Sequence, residues 1–137
     1  MPLQVELVSP ERILYEGEAD MVVCRVADGE IAFLPGHVPF VGTLAVSILR
    51  VLLPDSGEVV AAVHGGFVQV AHDKVTVLSD VAELGGDVDQ ARARLAQERA
   101  EELVRANADD EEAQAALDRA GIRLEAADLS AGKITAH

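Results

Sequence analysis

The sequence predicts an α+β protein in which an N-terminal β-sandwich, or flattened barrel, is followed by a C-terminal antiparallel two-helix hairpin. Two observations favour this fold. Every proline and every aromatic residue lies before residue 85, among short apolar runs separated by turn residues. From residue 85 onward the chain has fourteen alanines and no proline, which is typical of helices. We therefore predict two domains, a sandwich over residues 1–84 and a helical hairpin over residues 85–137.

The strands of the sandwich are expected where apolar and β-branched residues cluster between turn signals. Asp28-Gly29, residues 54–57 and His72-Asp73 are the clearest turns, and Gly65-Gly66 indicates a bulge or a close approach between strands. The predicted strands are residues 4–9, 19–26, 31–34, 41–53, 59–63, 66–71 and 74–78.

The second half predicts helices at residues 88–106 and from the acidic run 109–112 to about residue 127. Asp87 is the expected N-cap of the first helix, with Asp89 in its first turn. Residues 107–109 separate the two helices, and so short a connection predicts an antiparallel pair.

The helix faces bring arginines next to apolar residues. At 100° per residue, Arg92 and Arg99 share the stripe of the first helix that carries Leu95 and Leu103. The second helix has an alanine-rich stripe, which Arg119 and Arg123 flank. Its members are Ala113, Ala116, Leu117, Ala120, Leu124 and Ala127. We therefore expect four guanidinium groups at the seam between the helices, and a marginally packed hairpin.

Composition argues against several classes of function. The formal net charge of -13 disfavours nucleic acid and anionic membranes as partners. A single cysteine, Cys24, fits a reducing compartment, and no stretch is typical of a signal peptide or a spanning helix, so a soluble cytoplasmic protein is the default expectation. Four scattered histidines predict no metal site, and no set of acid, base and nucleophile can be assembled, so we expect no catalytic residues.

The corner at residues 35–39 is the best candidate for a contact surface within the sandwich. Pro35 and Pro39 fix the backbone and remove two hydrogen-bond donors, so this segment cannot continue a strand. Stiff loops on a scaffold often carry function. We predict a subunit contact formed by Gly36, His37, Val38 and Pro39.

Four blocks of sequence in order resemble the epsilon subunit of bacterial F-type ATP synthases. They are VSPERILYEGE at residues 8–18, GEIAFLPGHVP at 29–39, HGGFVQV at 64–70 and VDQARA at 88–93. The resemblance extends from about residue 5 to about residue 128. It implies a non-catalytic rotor subunit of the central stalk, which couples proton flow to ATP synthesis and regulates ATP hydrolysis through its C-terminal helices.

The resemblance also implies partners, a location and a ligand. The sandwich would dock on the gamma subunit and the c-ring, at the cytoplasmic face of the bacterial plasma membrane, and an extended tail would reach the catalytic head of alpha and beta subunits. No cofactor is required, but ATP is implied as a regulatory ligand. The matching positions are Glu83, Asp89, Arg92, Arg99, Arg119 and Arg123. One departure counts against such a site: Gly121 lies between Arg119 and Arg123, and glycine destabilises a helix by ~1 kcal/mol relative to alanine.

Two alternatives stay open from the residues themselves. The arginines could form solvated ion pairs with acidic neighbours such as Glu83, Asp89, Glu98 or Glu102, each contributing little. The chain could also be a free-standing ligand-binding or adaptor protein, with a sandwich core and a helical lid. Co-purification with gamma distinguishes a rotor subunit from such an adaptor.

Overall fold

A computed structural model describes residues 2–131, which form a two-sheet β-sandwich followed by two helices, so the predicted fold class is confirmed. Residues 132–137, the end of the predicted second domain, lie outside the described residues. The strands are β1 Leu3–Val8, β2 Ile13–Ala19, β3 Met21–Val26, β4 Gly29–Phe33, β5 Phe40–Thr43, β6 Val46–Leu52, β7 Glu58–His64, β8 Phe67–Ala71, β9 Lys74–Leu78 and β10 Ala82–Leu84. After a 3₁₀ turn, Gly85–Asp87, the helices are α1 Gln90–Ala106 and α2 Glu111–Ser130.

Two five-stranded sheets enclose the core. The first sheet has the order β2-β1-β9-β8-β5 and the second the order β10-β7-β6-β3-β4. Only the pairing of β1 with β9 is parallel among these strands. Side chains alternate along each strand, so Leu3, Val5 and Leu7 of β1 are buried between the sheets while Gln4 faces outward. Among the described residues, no helix is long and apolar enough to cross a membrane.

The strand predictions need three corrections. Strands β2 and β10 are absent from the predicted set, and the run predicted as one strand over residues 41–53 is two strands. Strand β5 belongs to the first sheet and β6 to the second, so the chain crosses between the sheets at Leu44 and Ala45. The break was hidden because β6 is apolar on both faces: Leu49 points into the core, and Ile48 packs under α2.

The predicted tight turns are confirmed. His72 and Asp73 have φ angles of 52° and 58°, as a two-residue hairpin turn requires. Gly66 is a close approach between strands, because a Cβ atom there would lie 2.0 Å from the Leu78 carbonyl oxygen.

The prediction of Asp87 as the N-cap of the first helix is wrong. Helix α1 begins at Gln90, and the Asp89 carboxylate accepts a hydrogen bond from the Arg92 backbone N–H at 3.1 Å. Asp87 lies in the 3₁₀ turn instead, because buried Val88 keeps an extended backbone and delays the helix by two residues. Helix α2 has Asp110 as its N-cap and continues to Ser130, three residues beyond the predicted end.

The seam of the helical hairpin consists of small residues. Helix α1 buries Ala93 and Ala100, which face the buried alanines of α2: Ala113, Ala120 and Ala127. The stripe predicted for α1 is therefore wrong, since Leu95 and Leu103 are 47% and 53% exposed. Alanines seven residues apart let the two backbones approach closely, and a leucine at the same positions would hold them apart. The α1 arginines consequently lie outside the seam.

The hairpin rests on the sandwich mainly through α2. Ala126 is fully buried against Val60 and Ala62 of β7, with Ile122 and Leu129 at the edges of the contact. At the chain connection, Gly85 packs directly under the same helix. Only Val60, Ala62 and Ala126 are buried in this apolar cluster, so it stabilises the docked hairpin only modestly.

Candidate functional site

A cleft of about 430 Å³ lies between the hairpin and the edge strand β10. Four elements supply its walls: the ends of β7 and β10, one position of α1, and one face of α2. Its polar lining residues are His64, Glu83, Arg119 and Arg123. Three of the six residues that the sequence predicted for a ligand site, namely Glu83, Arg119 and Arg123, are therefore together in one cleft.

An ion pair joins the two sides of the cleft. Arg123 Nε of α2 donates a hydrogen bond to Glu83 Oε1 of β10, and both side chains are about a quarter exposed. The two residues are forty positions apart in sequence, so the pair exists only when the hairpin is docked on the sandwich. Charge-assisted hydrogen bonds of this kind are among the stronger ones, which makes this pair a specific marker of the docked state.

Arg119 lies one helical turn before Arg123 on the same face of α2. Its guanidinium donates to Glu112 Oε1 at 3.1 Å, within the same helix. Glu112 is largely exposed, so this pair contributes little stability. The head group of Arg119 can therefore exchange Glu112 for another anion at small cost.

The two arginines of α1 lie on the same helix face as the α1 residue that lines the cleft. Ala96 is the α1 residue that lines it, and Arg92 and Arg99 stand four residues before and three residues after Ala96, on the same helix face. Arg119 and Arg123 thus line the cleft, whereas Arg92 and Arg99 are exposed on α1 and are not among the lining residues of the cleft. Asp89 stands apart, because its carboxylate caps α1.

His64 is a cleft residue that sequence reasoning missed. It ends β7, and its Nδ1 atom is buried without a hydrogen-bond partner among residues 2–131. Burial lowers the pKa of His64; Glu83 opposes this effect, and Arg119 and Arg123 add to it. The residue opens the HGGFVQV block, so the available signal was a polar residue ending an otherwise apolar strand.

The chemistry of the cleft suits an anion with several oxygens. Guanidinium groups match phosphate oxygens in pairs, and Arg119 and Arg123 both line this cleft in an otherwise acidic protein. Within residues 2–131, no group of three or more His, Cys, Asp or Glu side chains is placed to hold a metal ion.

The corner at residues 36–39 is held in one conformation by specific contacts. Gly36 N donates to Asp73 Oδ1 at 2.7 Å, and His37 Nδ1 donates to the Val38 carbonyl at 2.7 Å. The His37 and Phe33 rings also form a T-shaped contact, with centroids 4.9 Å apart. Val38 and Pro39 remain exposed on this fixed loop, as a contact surface requires.

A second exposed surface lies on the outer face of the first sheet, at the end away from the corner. We call it the apolar row: Ile13, Val8, Leu78 and Phe67, which pair in that order across four strands. Phe67 is 57% exposed. Their outward positions follow from strand alternation, but the sequence prediction did not use it. Apolar patches of this kind mark protein contacts.

The comparisons with known proteins agree with one another. The sequence profile of the family described as ATP synthase, Delta/Epsilon chain, beta-sandwich domain matches residues 2–85. The ATP synthase epsilon chain of Thermobifida fusca is 49% identical over 128 residues, which cover 91% of each chain. That of Streptomyces griseus is 43% identical over 124 residues, covering 90% of this chain and 94% of the relative.

Solved structures show the same fold at lower identity. A chain in the cryo-EM structure of the Euglena gracilis mitochondrial ATP synthase, OSCP/F1/c-ring, superposes with a TM-score of 0.70 at 23% identity. The match covers 97% of this chain and 82% of that one. A chain from the central stalk and c-ring of the Tetrahymena thermophila mitochondrial ATP synthase gives a TM-score of 0.52 at 14% identity, covering 65% and 71%.

Proposed function

The chain belongs to the ATP synthase epsilon-chain family, and from that premise we propose that it is a non-catalytic rotor subunit whose C-terminal hairpin regulates ATP hydrolysis. In this function the sandwich is the fixed part, carried by the central stalk, and the hairpin is the movable part. The subunit contributes to the coupling of proton flow with ATP synthesis through its place in the rotor. It is a peripheral component at the cytoplasmic face of the bacterial membrane.

The observation that carries the regulatory role is how the hairpin rests on the sandwich. Ala126, Ile122 and Leu129 of one helix supply the apolar contact, and Arg123 with Glu83 supplies the one ion pair recorded between the two parts among residues 2–131. Because this contact is small, the helices can leave the sandwich for a contact of similar strength with a partner. A partner that binds the released helices more tightly would shift the balance by its differential affinity.

We assign the cleft to ATP as a regulatory ligand. Arg119 and Arg123 line it, and Arg92 and Arg99 share a helix face with Ala96, the α1 residue in its lining, so we expect phosphates bound there to meet guanidinium groups from both helices. Such a ligand would join α1 to α2 and both to the sandwich. ATP would therefore favour the docked hairpin, and low ATP would free the tail to extend toward the catalytic head of alpha and beta subunits.

The proposed partners of the sandwich are the gamma subunit and the c-ring. The related structures come from F1/c-ring and central-stalk assemblies, which supports a place in the stalk for this chain. The protein offers two separate contact surfaces, the corner at residues 36–39 and the apolar row, at opposite ends of the first sheet. We expect each surface to bind one partner, and we assign the corner at residues 36–39 to gamma.

Co-expression with gamma tests the rotor assignment against the alternative of a free-standing adaptor protein. The tagged chain should capture gamma in a stoichiometric complex that survives gel filtration. Recovery of the chain without gamma at concentrations well above micromolar would favour the adaptor.

Replacing both His37 and Val38 with aspartate should weaken binding to gamma by at least about tenfold. Two charges on a fixed contact loop would be buried without partners in the interface. Titration calorimetry with purified gamma measures the effect. The variant Asn107→Asp with Ala108→Asp, which adds the same charge at the exposed turn between the helices, is the control. Equal affinity of the corner variant and the parent would move the gamma contact elsewhere, with the apolar row as the next candidate.

A further inference from the structure

His64 occupies a position in the cleft where an added proton would change the balance of charge. Its ring lines the wall made by the sandwich, and its Nδ1 atom is enclosed with no hydrogen-bond partner among the described residues. The charged groups that face it are Glu83 from β10 and Arg119 and Arg123 from α2, whereas α1 contributes only Ala96 to the cleft lining. Among residues 2–131, the His64 imidazole belongs to no ion pair and to no buried apolar cluster.

The surroundings favour a neutral imidazole while the cleft is empty. Glu83 is the only carboxylate lining the cleft among residues 2–131, and it is already paired with Arg123. A protonated His64 would be a third cation beside two guanidinium groups, with one shared carboxylate to compensate. A proton on Nδ1 would also lose its hydrogen bond to water, because this atom is enclosed at a site that offers no acceptor.

We propose that His64 is a proton-responsive element of the hairpin contact: neutral His64 belongs to the docked hairpin with an empty cleft, and protonated His64 either releases the hairpin or joins Arg119 and Arg123 in holding a polyphosphate anion. The first half depends only on the geometry of the contact, and the second half rests on the proposed regulatory role of the cleft. The lowered pKa of His64 agrees with both, since burial and the two arginines oppose its charge.

The direction of the pH effect follows from proton linkage. In the released state His64 is solvated and has its ordinary pKa of 6.5, and in the docked state its pKa is lower. The released state therefore binds more protons, so the stability that His64 gives to docking is complete above pH 6.5 and is lost as the pH falls below that value. An anion in the cleft reverses the sign, because its charge raises the pKa of the imidazole and binding takes up a proton.

Fluorescence energy transfer between two introduced cysteines measures docking without a ligand. Suitable positions are Glu16→Cys on β2 and Asn107→Cys at the turn between the helices, both exposed. Native Cys24 will not be labelled in the folded protein, because it is 1% exposed and burial raises its pKa to about 12. The ratio of released to docked molecules should rise by up to about fivefold between pH 6.5 and pH 5.5.

His64→Gln should abolish most of that rise, because glutamine fills the site without titrating. His64→Leu provides a second neutral residue should the glutamine variant fold poorly. His72→Asn is the matched control, since it removes a histidine at the β8–β9 turn, where asparagine tolerates the positive φ of 52°. Equal pH responses in the parent and in both His64 variants would overturn the inference.

Calorimetry with ATP at pH 7.5, 7.0 and 6.5 tests the second half of the proposal, the role of His64 in holding an anion. Affinity for the parent should increase as the pH falls, by up to about tenfold per unit for one linked proton, and His64→Gln should reduce this slope. Titration of the nucleotide itself is common to both proteins and cancels in the comparison. Equal slopes would overturn the role of His64 in anion binding. ATP that fails to bind either protein at any pH would refute the assigned ligand, while the energy-transfer experiment would still decide the role in docking.

Discussion

Replacing Gly85 with alanine should release the hairpin from the sandwich, while the same change at the adjacent Gly86 should leave it docked. A Cβ atom at Gly85 would lie 2.0 Å from Ser130 Oγ and 2.3 Å from the Ala126 carbonyl oxygen. The serine side chain can rotate away, but the carbonyl belongs to the backbone of α2, which would have to move off the sandwich. At Gly86 an added Cβ would meet nothing within 4 Å, which makes it a closely matched control.

The expected size of the Gly85 effect comes from overpacking. Inserting a methyl group into a closed contact costs about 1–3 kcal/mol, which changes the ratio of docked to released molecules by about fivefold to 150-fold. Energy transfer between labels at positions 16 and 107 measures this ratio, and the far-UV circular dichroism should remain that of the parent. A Gly85→Ala variant as fully docked as Gly86→Ala would show that α2 is held by contacts stronger than those at Gly85.

Replacing Arg92 and Arg123 with alanine should abolish ATP binding by the isolated subunit. The two residues come from different helices, and each charge-assisted hydrogen bond contributes about 1.5–3 kcal/mol, so Arg92→Ala alone should weaken binding at least about tenfold. Calorimetry measures both variants. Arg92 is the more telling single change, because Arg123 also holds Glu83 and its loss disturbs docking.

A control with the same loss of charge is available on α1. Arg94 and Arg105 are exposed and lie on the side of the helix opposite Ala96, so their replacement by alanine should leave ATP affinity within about twofold of the parent. If the Arg92 and Arg123 variant binds ATP as well as this control does, the cleft is not the nucleotide site, whatever the hairpin does in the complex.

Much of the sandwich could be predicted because its signals are local. His72-Asp73 requires positive φ at both residues, and Leu3, Val5 and Leu7 alternate with polar neighbours, so turn and strand follow from a few adjacent residues. The bounds of strand β6 could not be predicted from local signals. Its outer face is covered by α2, so it carries no alternation, and only the tertiary arrangement reveals where the run divides.

The face of α1 could not be predicted from hydrophobic periodicity. Hydrophobic periodicity assigns the large residues Leu95 and Leu103 to the buried face, whereas the seam of the hairpin is formed by small residues. Ala93 and Ala100 look like the exposed alanines on either side of them until the partner helix is known. His64 was missed for a related reason: it is far from the arginines of α2 in sequence and meets them only after the hairpin has docked.

The most direct test of the regulatory role is the ATPase activity of the assembled complex with the intact chain and with a chain that ends at Gly85. Both complexes should contain equal amounts of the subunit, and activity should be compared at low and high ATP. The proposal predicts faster hydrolysis without residues 86–137, with the largest difference at low ATP, where the tail is free to extend. Equal rates at every ATP concentration would contradict it and leave the hairpin without an inhibitory role in this protein.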